Sequence, residues 1–553
     1  MTPMTTTASE RAGDGSPGQA GADDAADPAA VMGRDPDGRP IPPLRGRLCP
    51  PLPDDGWRGW IVPLLITVFA AGLRLWNLGR PAKFVFDETY YPKDAFSLLH
   101  FGVEHQFVDK ANERILAGDL NVFGEPAFVV HPPAGKWLMA AGEWMFGMTP
   151  FGWRVAVAVV GALSVLVMAR MVRRLTRSTL LGCLAAFLFA VDGLHLVESR
   201  IALLDMPAMF WLLLAVTALL IDRDWVRTRL ADAAEPLGRV TPGTWGPPLL
   251  WRPWRLVAGL CFGLAAATKW NAALALAAFG LLTWAWDVGA RRAVGAAFAH
   301  WAGVARLALD AAVAFVTIAG TAVAVYVASW AGWFASPDGW DRTWAASNPA
   351  RGLAGLVPDA VRSLWHYHAE IMYFHTHLTE KHQYASSPLG WLVIARPVSF
   401  DWVDNLGPKQ GCPTDRCVQE ILGIGTPVLW WLAVIALAGC LVWWILGRDW
   451  RFGIPVVGVA ATWLPWFQYA NRPIFYFYAI IILPWMVVGL TLVLGKVLGP
   501  RDSSPRRRMW GAAVLGGVTL LVVLNFAYVY PILTDQVIPY DAWLRRMWFR
   551  SWV

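Results

Sequence analysis

The chain has 553 residues, 56% of them hydrophobic, and a formal net charge of +7, with a mean hydropathy of +0.42. This composition excludes an ordinary soluble enzyme, because several apolar runs reach the ~20 residues that cross a bilayer core as a helix. Nor does the positive charge point to nucleic acid: the basic residues gather in short connections between apolar runs, where they report membrane orientation.

Residues 1–56 are rich in Ala, Gly, Asp and Pro and almost free of aromatics. Such a segment buries too little apolar surface to offset its ordering entropy, so it is expected to be a disordered cytoplasmic tail. The first apolar run, about 60–76, reads as a signal anchor with no ordinary cleaved leader before it. Ten more runs follow, near 152–172, 179–196, 203–221, 256–270, 271–287, 306–333, 426–447, 453–470, 474–496 and 509–531. Many of the 34 Trp residues sit at run ends, as interfacial anchors do. Two polar intervals, 77–151 and 334–425, interrupt the series.

The stretch Ala134–Met148 is apolar enough to be mistaken for a further crossing. Charge decides against it. If it stays on one side, the connections holding Arg170/Arg173/Arg174/Arg177, Arg223/Arg227/Arg229/Arg239/Arg252/Arg255, Arg291/Arg292, Arg448/Arg451 and Lys496/Arg501/Arg506/Arg507/Arg508 all share one face. By the positive-inside rule that face is cytoplasmic. The expectation is an all-α polytopic protein of eleven transmembrane helices in one domain, 57–553. Its N-terminus lies inside, and its C-terminus and both long polar loops lie outside. Ala134–Met148 then lies along the membrane surface or dips into it. No G-x-x-x-x-G-K-[ST] loop is present, which argues against an ATP-driven pump.

Charged residues at membrane depth are costly and usually mark a site. Here they collect at the external ends of the runs. Asp87 and Glu88 follow the first run among Phe84, Phe86, Tyr90 and Tyr91, and Arg154 opens the second. Glu198, Arg200 and Asp205 bracket the turn between the third and fourth runs. Lys269 and Asn271 lie between the fifth and sixth, and Asn471 and Arg472 between the ninth and tenth. This set suits transfer with an anionic leaving group. A carboxylate serves as general base towards a hydroxyl, and cations hold a phosphate and stabilise the charge that develops on it. Structural explanations stand beside this one. Asp-Glu pairs in loops are ordinarily solvated, Arg154 and Arg472 can be snorkelling anchors, and Asp205 before Pro207 can be a helix start. Lys269, in a turn of two or three residues between apolar runs, is the hardest to explain structurally.

The motifs FDETYYPKDAFSLL at 86–99, HPPAGKWLMAAGEWMFG at 131–147 with GWR at 152–154, and ESRIALLDMPAMFW at 198–211 resemble those of the protein O-mannosyltransferases. So do GLAAATKWNA at 263–272, HYHAEIMYFHTHLTEKHQYASSPLGWL at 366–392, IGTPVLWW at 424–431 and WLPWF at 463–467. These are polyprenyl-phosphate-mannose-dependent enzymes of the GT-C membrane fold, and the chain is most similar to their actinobacterial branch. The resemblance implies that Asp87 is the catalytic first-loop aspartate, with Glu88 completing the pair. It places Arg154 at the family's basic position after the second motif, Asp205 in the L-L-D motif and Lys269 in the A-T-K motif, facing the lipid phosphate. Arg472, His131, Lys136 and Arg200 complete the expected set of substrate or lipid-phosphate contacts. Ser387-Pro388-Leu389 departs from the Pro-Trp expected in relatives, which puts acceptor-loop details in doubt and not the reaction.

The second polar loop holds His366, His368, His375, His377 and His382. Residues two apart on a helix point about 200° apart, so H-x-H there does not converge on one ion. No metal or other cofactor is expected, and these imidazoles are read as lining a sugar or peptide cleft. Cys412 and Cys417, separated by PTDR, are expected to form a disulfide on the external face. The resulting expectation is an inverting mannosyltransferase. Its donor is polyprenyl-phosphate mannose, and its acceptors are Ser/Thr hydroxyls of exported proteins, with coupling to the export machinery as an expected partnership. A GT-C enzyme with a glycolipid or cell-wall glycan acceptor is the alternative. A secondary transporter is disfavoured, because no internal repeat is evident.

Overall fold

The computed structural model describes residues 44–234, 246–296, 301–500 and 502–553. Each of the eleven apolar runs is helical over most of its length. Among the described residues seven helices are long and apolar enough to cross a membrane: Arg58–Leu75, Pro150–Thr176, Asp205–Ala234, Ala272–Ala293, Gly303–Ser329, Pro427–Ile445 and Pro505–Leu533. Thr179–Ala190, Pro253–Ala266 and Leu483–Leu498 are shorter apolar helices. The remaining run is an 11-residue helix, Gly453–Trp463, continued by a 3-10 turn to Tyr469.

Local sequence sets the breaks. Thr149 caps the Pro150–Thr176 helix by accepting from the Gly152 amide, and Pro150 stands at its first position, where a missing N–H costs nothing. Arg177 ends that helix in the left-handed conformation at φ 54°, and Ser178 caps the next by accepting from the Leu181 amide. One residue of turn and one cap thus fold two helices into a hairpin.

The first polar interval contains the 3-10 turn Phe86–Thr89, the helix Tyr91–Phe101, a two-stranded hairpin and the helix Ala134–Phe146. The last has 13 residues, about 20 Å of helix against a hydrocarbon core of about 30 Å. It buries Gly135, Lys136, Met139, Ala140, Gly142 and Glu143 against the bundle and exposes Trp137, Trp144, Met145 and Phe146. Gly142 allows that contact: a Cβ there would lie 2.4 Å from the Gly152 carbonyl oxygen.

The second polar interval carries the helix Asp359–His377 and the antiparallel strands Val398–Leu406 and Cys417–Gly423. A third strand, Ile538–Pro539, pairs with Cys417 and Val418. The Cys412–Cys417 disulfide is formed, with Sγ–Sγ 2.05 Å. Lys83 bridges to Asp401 at 2.8 Å, so both polar intervals and residues 538–553 cap one end of the bundle.

Residues 44–56 lie at the other end, where Asp55 meets Arg173 near the end of the Pro150–Thr176 helix. Residues 1–43 of the expected tail fall outside the described residues. The expectation of disorder does not hold for 44–56. Leu44–Leu48 is a helix whose Leu48 is buried against Val226, Leu230, Ala231 and Ala234, and Asp55 accepts from Arg173 and Thr179. A few apolar residues suffice once helix ends offer them a surface, and a composition averaged over 56 residues conceals them. Part of the basic charge in the connections is also internally paired. Arg252 and Arg255 share Asp222 and Asp287, Arg174 and Arg177 share Asp224, and Arg291 meets Asp310.

Candidate active site

The acidic first-loop motif is held by its second carboxylate. Glu88 is wholly buried and accepts four hydrogen bonds: from Arg154 Nε at 2.8 Å and Nη2 at 2.7 Å, from the Val85 amide at 3.0 Å and from the Ala202 amide at 2.9 Å. Arg154 uses its remaining donors on the carbonyls of Leu78, Pro81 and Lys83. The guanidinium is thereby saturated and clamps residues 78–88 to the Pro150–Thr176 helix. Phe86, in the left-handed region at φ 49°, stands edge-on to Phe400, Phe475 and Phe477. Between these two anchors sits Asp87.

The Asp87 carboxylate accepts no hydrogen bond from the described residues and faces Lys269 and Asp205 across the cleft. Burial pushes its pKa up to about 6; the Lys269 charge opposes this and the Asp205 charge adds to it. Lys269 Nζ donates to both Asp205 oxygens, at 2.7 and 2.8 Å, and lies 4.0 Å from the centroid of the Tyr478 ring. Glu198 is wholly buried beside this group, and neither of its oxygens meets a hydrogen-bond donor among the described residues. Tyr91 is close to Asp87 and packs on His131, and His131 in turn packs on His375.

Arg472 completes the arrangement. Its Nη1 donates to the His375 carbonyl and to His375 Nδ1, both at 3.1 Å, while His375 Nε2 donates to the Val130 carbonyl at 3.0 Å. His375 is therefore neutral, with burial and then the Arg472 charge bringing its pKa down to about 4. Burial and then Lys269 likewise hold His131 well below the usual imidazole range. Arg472 Nε has no partner among the described residues, which leaves donor capacity at the cleft.

The structure thus brings together Asp87, Asp205, Lys269, Arg472 and His131 of the set named from sequence. It employs the others elsewhere. Glu88 and Arg154 are engaged with each other. Lys136 is buried against Glu104 and Asp94. Arg200 donates to the carbonyls of Leu73, Arg74, Trp76 and Asn77, satisfying the open end of the Arg58–Leu75 helix. The physical reason is common to all three cations: a buried donor takes the nearest acceptor, and chain order does not show which that is. Tyr478 joins the cleft although sequence reading did not single it out, and Glu198 and His375, noted there only as one of the charges at the run ends and as a cleft-lining imidazole, join it too. The available signal was their position at the same ends of the runs as Asp87.

The remaining imidazoles face separate partners. His366 stacks on Trp344, His368 bonds the Tyr326 hydroxyl at 2.7 Å, His377 stacks on Tyr373, and His382 packs edge-on against Phe475. Among the described residues no three His, Cys, Asp or Glu side chains are grouped so as to hold a metal. At the departure from the family motif, Ser387 caps a 3-10 turn and Leu389 is exposed.

A helical bundle capped on one face by two polar loops, with an unengaged carboxylate beside a lysine–carboxylate pair at its mouth, fits the membrane-embedded glycosyltransferases of the GT-C class. The fold matches the Saccharomyces cerevisiae protein O-mannosyltransferase Pmt1–Pmt2 complex bound to the sugar donor, with a TM-score of 0.67 at 15% identity over 90% of this chain and 93% of that one. The chain belongs to the protein O-mannosyltransferase family. Residues 64–293 match the family model for dolichyl-phosphate-mannose-protein mannosyltransferase, and residues 360–552 match that for the C-terminal four-helix membrane region of protein O-mannosyltransferase. It is 38% identical to the polyprenol-phosphate-mannose–protein mannosyltransferase of Mycobacterium tuberculosis, over 95% of this chain and 98% of that protein. It is 30% identical to the Corynebacterium glutamicum protein of the same name, over 88% and 92%.

Proposed function

We propose that the chain transfers mannose from polyprenyl-phosphate mannose to Ser/Thr hydroxyls of proteins. The observation that carries the chemistry is the unengaged Asp87 carboxylate, held in place by a saturated Glu88–Arg154 clamp and raised in pKa to about 6. A base poised near the working pH is ionised and still basic enough to accept a hydroxyl proton.

In this reading Asp87 takes the proton as the hydroxyl oxygen attacks the anomeric carbon. The carbon–oxygen bond to phosphate breaks in the same displacement, so the configuration inverts, and the phosphate leaves with the electron pair. The charge developing on it is met by Lys269, whose third N–H is not used by Asp205, and by Arg472. His131, neutral and beside Tyr91, lines the sugar side of the cleft. Nothing in this scheme calls for a metal or nucleotide. The membrane topology in this reading has eleven crossings with the capped face external to the cytoplasmic membrane, where lipid-linked donor and emerging exported chains meet. Coupling to the export machinery would supply unfolded acceptors.

The test is transfer from radiolabelled polyprenyl-phosphate mannose to a Ser/Thr-Pro-rich peptide in membranes containing the chain. Label in the peptide, removed by β-elimination, supports the reading. Label that enters only lipid or glycan overturns the choice of acceptor.

A further inference from the structure

The end of the bundle opposite Asp87 contains a cavity of about 970 Å³ that the reaction does not use. It opens where four helices meet: the end of Pro150–Thr176, the start of Thr179–Ala190, the end of Leu483–Leu498 and the start of Pro505–Leu533. Arg177, Arg451, Lys496, Arg507 and Arg508 line it, with Asp54 and Asp55 as its carboxylates. Asp55 is already engaged by Arg173 and Thr179, and a single carboxylate, Asp449, serves both Arg451 and Lys496. Arg177 is paired with Asp224, so the excess of positive charge lies on the side of Arg451, Lys496 and Arg507, where three cations have one carboxylate among the described residues.

The Pro505–Leu533 helix makes the excess sharper. Its first turn reads PRRR and holds no acidic residue. Cations at a helix N-terminus face the positive end of the macrodipole, where an anion is favoured instead. Arg507 folds back across Gly499: a Cβ on that residue, which sits at φ 80°, would lie 3.0 Å from Arg507 Nε. Among the described residues Arg507 meets no carboxylate. The cavity is also amphipathic. Leu180 and Leu181 form part of its wall, and Leu180 is exposed, as are Met509 and Trp510 at the start of the last long helix. Exposed Trp at a span end marks the depth of the membrane interface.

We propose that this cavity binds the phosphodiester headgroup of an anionic membrane glycerophospholipid. Lys496, Arg507 and Arg451 hold the phosphate, and the acyl chains leave along Leu180. Basic pockets between transmembrane helices suit such headgroups. The site is separate from the donor cleft, which lies at the other end of the same helices.

The experiment uses the purified full chain in nanodiscs of phosphatidylcholine, with and without phosphatidylglycerol. Retained lipid is read by native mass spectrometry and the melting temperature is measured alongside. Phosphatidylglycerol is expected to be retained over phosphatidylcholine and to raise the melting temperature. The double variant Lys496→Gln/Arg507→Gln should lose that retention by about tenfold or more, while Arg507→Lys keeps it. Equal retention of both lipids by the wild type overturns the proposal, as does undiminished retention in a folded double variant. If the double variant does not fold, the wild-type comparison of the two lipids decides. Inorganic phosphate is the remaining arm. If it abolishes lipid retention at a concentration matched to the lipid, the cavity is a soluble-phosphate site and the lipid assignment fails.

Discussion

Glu88 and Arg154 meet through two hydrogen bonds of 2.8 and 2.7 Å with neither residue accessible to solvent. The pair fixes the loop rather than facing the cleft, and so separates the two carboxylates of one motif into one spent on the loop and one left facing Lys269 and Asp205. Removing one partner of a buried pair leaves an uncompensated charge, at a cost of about 3–5 kcal/mol. Arg154→Met should therefore unfold at clearly lower temperature than wild type, and activity should fall in parallel with the folded fraction. A melting temperature equal to wild type would show that the loop is held by something else. Arg200→Gln should likewise lower stability and leave donor affinity unchanged, because its donors are spent on the end of the Arg58–Leu75 helix.

Asp87→Asn should behave in the opposite way. The side chain is nearly isosteric and receives no hydrogen bond from the described residues, so the melting temperature should not drop. Transfer should fall ~10² to 10⁴-fold, the usual loss for a general base, with donor binding retained. Wild-type activity should decline on the acid side below pH about 6, as burial has raised the Asp87 carboxyl to that value and only the ionised form accepts the proton. A pH–rate profile of kcat/KM locates the limb; one flat down to pH 4.5 would place the base elsewhere.

Lys269→Ala removes a cation from both the bound and the departing phosphate. Donor binding should weaken and turnover slow together, because the interaction is present in the ground state and grows in the transition state. The variant also leaves Asp205 unpaired in a buried place. Lys269→Ala combined with Asp205→Ala should restore much of the stability and none of the activity. Recovery of transfer in the double variant would reduce Lys269 to a partner for Asp205.

Glu420 in the sheet formed by Val398–Leu406 and Cys417–Gly423 offers a stability test. Burial raises its pKa to about 7, against the hydrogen bond from Trp543 Nε1 at 2.6 Å. A carboxyl whose folded pKa exceeds its unfolded value near 4.5 loses stability as pH rises from about 4.5 to about 7. Glu420→Gln, which still accepts from Trp543, should raise the melting temperature at pH 8 and change it little at pH 5. The same increment at both pH values would exclude a titration effect.

Apolar runs, the two polar loops that share one end of the bundle and the identity of Asp87, Asp205 and Lys269 as neighbours were all legible in the sequence, since run length and the ends at which charges fall are one-dimensional quantities. What was not legible depends on pairing in three dimensions. Arg154, Arg200 and Lys136 look equivalent to Arg472 along the chain, yet of these four it is Arg472 that has a buried nitrogen without a partner among the described residues. The resemblance to a known family supplied the role of Asp87. It could not separate Glu88 from it, because adjacent positions in a motif carry no record of which side chain turns inward. The sheet formed with Ile538–Pro539 escaped notice because a two-residue strand has no periodicity to read.

That short strand has a consequence for biogenesis. It closes a sheet whose other strands lie more than a hundred residues earlier, and the long helix before it must be inserted first. The same sheet carries Asp401, the anchor for Lys83 in the loop that presents Asp87. A nascent chain that has threaded every helix but the last therefore holds Lys83 and Asp87 on a face still missing a seam. The face that carries Asp87 is completed by residues made last, and its sheet has its full complement of strands only when that closing stitch is in place.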